Sequence, residues 1–399
     1  MATATACSAG GARSSRQVVA PTTAVTTSSA STSAPPPARP PEGRVWALTG
    51  TPTTAGPPRT ASLVPVDEPA GHVGTPVALP TTAAGFVAID RAGTAAYVID
   101  RDSPGRVVPV HLPTGVTGAA ITLPVATSGG SIITSVAFSA DDRTAYFVDA
   151  GAGQLDPVDL VAGTAAAPIP IAPLAACGDV ETQAVATPDD KGVYVEGPSG
   201  LYDVDLTARH SSPSFDIAAH DASGAYGNMA ISLDAGGQRL YVLQPGMQSD
   251  TLVAVGTNGD AALSTVTVPV GPRAQAPPSQ GDLQGPAWDK VFVASSSIAD
   301  VIEYGSVPEQ IVRVALPAGT VVGRATLSPV TGLSACGDQS PVPLAILPDN
   351  ATAVAAGPGA PDVHGIDLAS GGNLATVSTG RLPVLAVLSG SGWPDSWPN

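Results

Sequence analysis

The sequence is poor in basic residues, and this shortage excludes several classes of partner. It holds 17 Lys and Arg against 33 Asp and Glu, which gives a formal net charge of −16. A surface of that sign repels phosphate backbones and anionic lipid headgroups, so we expect no nucleic-acid binding and no charge-driven adhesion to membranes. The same field favours cationic partners and divalent metal ions.

Long apolar runs and helical periodicity are also lacking. No stretch of about 18 apolar residues occurs, so no transmembrane helix is predicted. Aromatic residues make up only 4% of the chain, whereas it contains 44 Gly and 41 Pro. Short β-rich runs between Gly- and Pro-containing turns are typical of an all-β protein.

What the sequence does contain is a repeated unit, clearest in Thr134–Ala172. Four short apolar runs are separated there by three turns, the first of which is built on Asp141 and Asp142. Tyr146 and Val148 belong to the second run. A four-stranded sheet of this size cannot bury its own faces, so copies must stack. Radial stacking of such sheets predicts a β-propeller.

Seven copies are predicted, and the last segment of the chain completes the first. The copies span Arg44–Pro80, Gly85–Pro124, Thr134–Ala172, Gln183–Ala218, Met229–Pro269, Gly281–Pro329 and Pro343–Thr379. The first copy lacks an inner strand, which Val384–Leu388 would supply beside Val45–Leu48. We therefore expect a closed seven-bladed ring, because such closure removes open sheet edges. In the sixth copy, Gly281–Ala287 is assigned as the first strand and Ser295–Glu309 as an insertion.

The repeat resembles a known family. Pro188–Val195, Ala96–Val98 and Gly365–Gly371 are similar to the YVTN-type repeats of the lactonase-like propeller superfamily. The resemblance covers most of Arg44–Gly390. It implies the propeller fold, in a superfamily that includes sugar-lactone hydrolases as well as binding modules. No catalytic motif of that family is found here, so the resemblance assigns no catalytic residue.

Residues 1–43 differ from the rest in composition. They are rich in Ala, Ser, Thr and Pro, which predicts a disordered tether before a propeller domain at 44–399. Ala4–Ser8 resembles the cleavage end of a bacterial lipoprotein signal, with Cys7 as the lipidated residue. Ala4 stands where Leu is usual and the upstream apolar segment is missing, so the start is either misassigned or trimmed. The alternative is that Cys7 is a chance cysteine.

The two remaining cysteines lie in a duplicated Ala-Cys-Gly-Asp motif. Cys177 precedes the fourth copy and Cys336 the seventh. Both motifs occupy long connections at the same face, so a disulfide across the channel mouth is predicted, in an oxidising compartment. The alternative is that the duplicated motif only reflects divergence among the repeats, and that the two thiols are separate buried residues that form no disulfide.

The long connections concentrate on one face near the propeller axis, and they carry the candidate binding residues. These are Asp179, Glu181, His220, Asp221, Glu303, Tyr304, Asp338 and His364. A carboxylate-rich mouth can hold calcium (Ca²⁺) or supply an acid–base pair. The alternative is that these residues are ordinary solvated charges of the connections.

A second group of acids recurs in every copy and has a structural explanation. These acids lie in equivalent turns or at the ends of equivalent third strands: Asp67, Asp141, Asp142, Asp159, Asp189, Asp190, Asp205, Asp234, Asp349 and Asp367. Repetition of this kind predicts bonding to turn amides rather than chemistry.

The sequence therefore predicts an extracytoplasmic, lipid-anchored propeller that binds a protein or small molecule and is a monomer. No cofactor is indicated apart from the calcium that the acidic mouth could hold. The alternatives are a lactonase-like or metal-assisted hydrolase that uses the same mouth, and a purely structural surface protein.

Overall fold

A computed structural model shows antiparallel strands and tight turns, and no helix, in the residues that it describes. These are 44–49, 62–67, 72–79, 84–90, 92–100, 103–112, 114–124, 133–171, 182–197, 200–214, 229–234, 236–245, 249–257, 262–269, 290–295, 297–303, 310–327, 344–346, 351–356, 362–378 and 384–389. All of them belong to one unit, Ala38–Asn399. A search of them for a helix able to cross a membrane finds none.

The described strands form seven antiparallel sheets, numbered here in chain order. Sheet 1 contains β1 (Arg44–Thr49), β2 (Ser62–Asp67), β3 (His72–Val73), β4 (Val77–Ala78) and the last strand, β31 (Val384–Ser389). Sheet 2 contains β5 (Ala84–Ile89), β6 (Ala95–Asp100), β7 (Ser103–His111), β8 (Val116–Thr117) and β9 (Ile121–Thr122). Sheet 3 contains β10 (Ile133–Phe138), β11 (Thr144–Asp149), β12 (Gln154–Asp159), β13 (Thr164–Ala165) and β14 (Ile169–Pro170).

The other four sheets have four strands each. Sheet 4 contains β15 (Ala184–Ala186), β16 (Gly192–Gly197), β17 (Gly200–Asp205) and β18 (His210–Pro213). Sheet 5 contains β19 (Ala230–Leu233), β20 (Arg239–Gln244), β21 (Ser249–Gly256) and β22 (Ala262–Pro269). Sheet 6 contains β23 (Lys290–Ser295), β24 (Ile298–Glu303), β25 (Gln310–Ala315) and β26 (Thr320–Thr326). Sheet 7 contains β27 (Leu344–Ile346), β28 (Thr352–Ala356), β29 (Asp362–Asp367) and β30 (Asn373–Ser378).

Proline explains why the outer strand is in two pieces in sheets 1 to 3. Pro65, Pro109 and Pro157 lie on the adjoining strand and have no N–H to donate to an outer neighbour. Only their carbonyl oxygens are used, and that of Pro65 accepts from Gly74 N at 2.8 Å. A side chain at Gly74 would meet the proline ring, because an added Cβ would lie 2.6 Å from Pro65 Cγ. The chain therefore bulges between the two short outer pieces.

Neighbouring sheets share apolar cores. Ile99 and Ile121 of sheet 2 pack in one cluster with Phe147 of sheet 3, whose side chain is fully buried. Leu252 of sheet 5 and Val301 of sheet 6 lie together in an equivalent cluster. Each such side chain contributes about 2 kcal/mol through its removal from water. Packing between sheets, rather than within one, therefore accounts for most of the buried apolar surface.

The last described strand pairs with the first. β31 pairs antiparallel with β1, with Leu388 opposite Trp46. It also contacts β27 and β28 of sheet 7. This is the strand pairing that the sequence predicts for Val384–Leu388.

Sheet 6 differs from the prediction. Lys290–Ser295 is its first strand and Ile298–Glu303 its second, so the assignment of Ser295–Glu309 as an insertion was wrong. Asp300 interrupts the apolar pattern of β24, and the cation that neutralises it, Arg313, lies on the next strand. The predicted strand at Gly281–Ala287 lies outside the described residues.

Candidate functional site

Most of the predicted binding residues cannot be placed. Those that lie outside the described residues are Asp179, Glu181, His220, Asp221, Tyr304 and Asp338, together with Cys7, Cys177 and Cys336. Glu303 and His364 are described, and both lie in strands. His364 is half-buried on β29, where its Nδ1 lies 3.1 Å from Oγ1 of Thr376 on the outer strand. It therefore belongs to a sheet and not to a connecting segment.

Glu303 is the last residue of β24, and its side chain is fully buried. Gln310 Nε2 donates to Glu303 Oε2 at 2.6 Å. Arg324 places Nη1 4.0 Å from Glu303 Oε1, and its Nη2 donates to the carbonyl oxygen of Pro269 at 2.8 Å. Pro269 ends the outer strand of sheet 5, so this network joins two sheets.

Sheet 3 contains an equivalent network around a different set of acids. Asp149 ends β11 and faces Gln154 across the strand pair, as Glu303 faces Gln310. Gln154 Nε2 donates to Asp156 Oδ1 at 2.9 Å and to the carbonyl oxygen of Pro124 at 2.9 Å. Pro124 follows the outer strand of sheet 2, so this network also joins two sheets.

Asp149, Gln154 and Asp156 share one face of sheet 3. Asp156 is the cross-strand partner of Phe147, and alternate residues of a strand face the same way. Phe147 packs against sheet 2. The three polar side chains therefore point into the space between sheets 2 and 3, called here the acid-pair cleft.

Asp156 is the most perturbed acid of this cleft. Its side chain is fully buried, and Oδ2 has no hydrogen-bond partner. Burial, together with the nearby charge of Asp149, raises the pKa of Asp156 to about 7, although the bond from Gln154 opposes the shift. Asp149 is also fully buried, and its Oδ1 accepts from Ala152 N at 3.0 Å.

These acids belong to a larger group at one edge of the sheets. The buried carboxyl side chains near the connection between second and third strands are Asp149, Asp156, Glu196, Asp250 and Glu303. Only Glu303 was a candidate from sequence. The other four could have been found as acids in runs that are apolar in other copies. In the described part of the chain, no three of His, Cys, Asp and Glu come together as a metal cluster.

A further buried acid is fully neutralised. Asp300 lies in the middle of β24, and Arg313 Nε and Nη2 donate to its two carboxylate oxygens at 2.8 and 3.1 Å. Burial raises the pKa of Asp300, and the arginine opposes that shift. This pair occupies the positions that Tyr146 and Pro157 hold in sheet 3.

The repeated aspartates behave as predicted where they are described. Asp141 Oδ1 accepts from Ser139 Oγ at 2.8 Å and from Arg143 N at 3.0 Å, and these bonds hold the pKa of Asp141 below its ordinary value. Asp190 Oδ1 accepts from Ala140 N of the preceding sheet at 2.8 Å. These acids therefore stabilise turns and join neighbouring turns, which confirms their structural role.

The chemistry available at the buried acid edge follows from burial and charge. A carboxylate that is removed from water attracts a cation or keeps a proton. Because Asp156 is fully buried, a small ion or a proton fits it better than a large organic substrate does.

Comparison with known proteins shows the fold. No family model and no curated protein matches the sequence. The Pseudomonas aeruginosa periplasmic gluconolactonase PpgL is similar with a TM-score of 0.56 and 16% identity, over 84% of this chain and 96% of that chain. The β-propeller domain of Myceliophteria thermophila Cps50 (Swd1) gives 0.53 and 12%, over 77% and 89%. Kuenenia stuttgartiensis hydrazine synthase gives 0.51 and 13%, over 71% and 76%.

These likenesses, with the antiparallel sheets described above, define the class. The chain is an all-β protein with the β-propeller fold. Identities of this size extend to the fold alone, and the YVTN type of the repeat stays a prediction.

Proposed function

We propose that the chain is a binding module, a closed seven-bladed ring whose partner contacts one edge of the sheets. One observation carries this proposal. Because four antiparallel strands alternate in direction, the connection from second to third strand and the segment leaving the fourth lie at the same edge. The fourth strands of sheets 3 to 6 therefore end at the edge that holds the buried acids, and the chain leaves them there toward residues 172–181, 215–228, 270–289 and 328–343. This edge is called the connection face.

The ring proposal is supported by the order of contacts between sheets. Sheets 2 and 3 share a core, as do sheets 5 and 6. The last strand lies against sheet 7 and pairs within sheet 1. Seven similar sheets that contact their neighbours in this order shield their faces best as a closed wheel.

A cationic partner, protein or small molecule, suits the connection face best. The net charge of the chain is −16, and charge of one sign raises the local concentration of ligands of the other. The acids of the connections, Asp179, Glu181 and Asp338, would supply the local contacts. Nucleic acid is not a partner in this proposal.

Cytochrome c, a basic protein, is a suitable probe of this face. The variant Asp179→Asn/Glu181→Gln/Asp338→Asn should bind it at least about fivefold more weakly in a low-salt titration, because three acids are neutralised. The matched control is Asp159→Asn/Asp205→Asn/Asp367→Asn, which removes the same charge at the opposite edge and keeps the turn bonds to residues such as Val161 N and Thr207 N. Equal weakening by both variants would contradict a site on the connection face.

We place the protein outside the cytoplasm, held by lipid on Cys7 through residues 1–43 as a tether, with a propeller domain at 44–399. The Ala4–Ser8 pattern and the duplicated Cys177 and Cys336 motifs support this, since a disulfide needs an oxidising compartment. In a bacterial host, Cys7→Ser should move the protein from the membrane fraction to the soluble fraction. An unchanged distribution would contradict lipid anchoring.

A lactone hydrolase is the second candidate. The likeness to PpgL extends over 96% of that gluconolactonase, and carboxyl groups such as those of Glu303 and Asp338 can serve hydrolysis as acid or base. The test is acid release from glucono-1,5-lactone by the purified full chain. We expect none above the uncatalysed rate. If the wild-type chain hydrolyses the lactone and Glu303→Gln or Asp338→Asn abolishes this activity, the lactone-hydrolase proposal would replace the binding proposal.

A further inference from the structure

The acid-pair cleft of sheet 3 and the Glu303 network of sheet 6 share residues of the same kind at three equivalent positions. An acid ends the second strand, a glutamine faces it from the third strand, and a proline carbonyl of the preceding sheet accepts a hydrogen bond. In sheet 6 these residues are Glu303, Gln310 and Pro269. The two sites are 154 residues apart in the chain when measured from Asp149 to Glu303 (303 − 149).

Sheet 6 carries its own cation. Arg324 lies on the outer strand opposite Val312, reaches toward Glu303 and donates to the Pro269 carbonyl. The guanidinium therefore balances the buried charge and satisfies the carbonyl at once. The buried carboxylate of sheet 6 therefore has a partly exposed cation beside it, 4.0 Å from Glu303 Oε1.

Sheet 3 places a second acid where sheet 6 has an apolar residue. The position of Val312 is taken by a second acid, Asp156. Pro168 directly precedes Ile169, the partner of Leu155, so it begins the bulge beside Asp156, at the chain position where sheet 6 has its arginine. No ion pair to Asp156 is found in the part of the chain that the structure describes, and Asp156 Oδ2 has no partner. Two buried carboxyl groups thus meet where sheet 6 has one acid and a guanidinium.

We propose that the acid-pair cleft binds a divalent cation of the size of calcium through Asp149 and Asp156. The site lies between sheets 2 and 3 and is distinct from the connections of the proposed partner face. Its donors are all oxygen, from two carboxylates and neighbouring carbonyl groups such as that of Pro124. Hard divalent cations select such donors, and Ca²⁺ takes six to eight of them with flexible geometry.

Burial argues for a metal ion rather than an organic cation. Asp149 and Asp156 have no exposed side-chain surface, so the occupant must fit between packed sheets. The alternative occupant is a proton on Asp156, since the pKa of Asp156 is raised to about 7. A metal ion and a proton compete for the same oxygen, so they can be told apart at a pH above that pKa.

The test uses the purified full chain, stripped of metal with EDTA and dialysed to pH 8. Calcium chloride alone is titrated by calorimetry, and thermal unfolding is followed at several calcium concentrations. We expect saturable binding to one site and a melting temperature that rises with calcium. Asp156→Asn should weaken binding at least about tenfold, because affinity follows the number of charged ligands.

Two further variants keep the result interpretable. Asp159→Asn neutralises an exposed acid three residues along the same strand and should bind calcium as the wild type does. Pro168→Arg places a guanidinium opposite Asp156 and should abolish calcium binding while the protein stays folded, which covers the case in which Asp156→Asn fails to fold.

Three results would overturn the proposal. The first is a wild-type chain that shows neither heat of calcium binding nor a rise in melting temperature with calcium. The other two are a calcium affinity equal to that of the wild type in Asp156→Asn, or in Pro168→Arg. The cytochrome c titration is a separate measurement, so loss of one proposal leaves the other standing.

Discussion

Sheets 3 and 6 bury acids at the same place and balance their charge in different ways. In sheet 6, Arg324 lies within ion-pair distance of Glu303, and Arg313 forms an ion pair with Asp300. Sheet 3 sets Asp156 beside Asp149 and has Pro168 where sheet 6 has the arginine. In the proposal above, one repeated backbone gives an ion-paired network in one sheet and a cation site in another through two neighbouring positions, Val312 and Arg324 in sheet 6 and Asp156 and Pro168 in sheet 3.

The largest effect is expected from breaking the buried ion pair of sheet 6. Arg313→Met leaves Asp300 buried without its cation, which should lower the free energy of unfolding by about 3 kcal/mol. Urea denaturation measures this change. The double variant Asp300→Leu/Arg313→Met should regain most of the loss, because a well-packed apolar pair replaces a buried ion pair at little cost. A double variant as unstable as the single one would contradict this account.

The next-largest effect is a pH dependence of the free energy of unfolding that Asp156 of sheet 3 should cause. In EDTA, the folded-state pKa of Asp156 is about 7 against an ordinary value of 3.8. The folded protein then binds more protons than the unfolded chain between these values, so stability is full below pH 4 and falls as pH rises toward 7. Asp156→Asn should remove this fall and leave the protein more stable than wild type at pH 8, by up to about 1.4 kcal/mol for each unit of the pKa shift. Parallel stability curves for the two proteins would contradict the raised pKa.

Removal of the glutamines compares the two networks directly. Gln154→Met loses two hydrogen bonds and should cost about 1.5 kcal/mol in the free energy of unfolding. Gln310→Met loses the bond to Glu303, but Arg324 stays in place, so about 1 kcal/mol is expected. Urea denaturation measures both. A larger loss for Gln310→Met would show that the arginine does not support Glu303.

The smallest effect on stability comes from making sheet 3 resemble sheet 6. Pro168→Arg should raise the free energy of unfolding at pH 8 by about 1 kcal/mol, as the new guanidinium pairs with a buried acid. The same variant should make the melting temperature insensitive to calcium. A variant that is less stable than wild type and still responds to calcium would show that the arginine does not reach the cleft.

Much of the fold could be predicted because its signals are local. Turn acids such as Asp141 bond amides two residues away, and strand alternation is visible in any short window. The pairing of β31 with β1 was also predictable, since the first copy lacks a strand in the sequence. The second strand of sheet 6 was predicted to be an insertion because it contains Asp300. A charged residue in a short apolar run favours a loop assignment as long as its ion-pair partner is not known.

The site could be predicted far less well. Among the acids chosen from the connections, Glu303 falls in the described part of the chain, and there it lies in a strand at the buried acid edge. Asp149 and Asp156 were not among the candidates from the sequence. A single sequence does not show whether such an acid faces water or the neighbouring sheet.

The sequence alone determined the repeating strands, the turns and the acidic charge, because each depends on residues within a few positions of one another. Only the tertiary structure decided which acids are buried and what balances them. The bond from Gln154 to Pro124 spans 30 residues and that from Arg324 to Pro269 spans 55. The charge balance of a buried site depends on neighbours brought together by the packing of sheets, and chain order does not encode that contact locally.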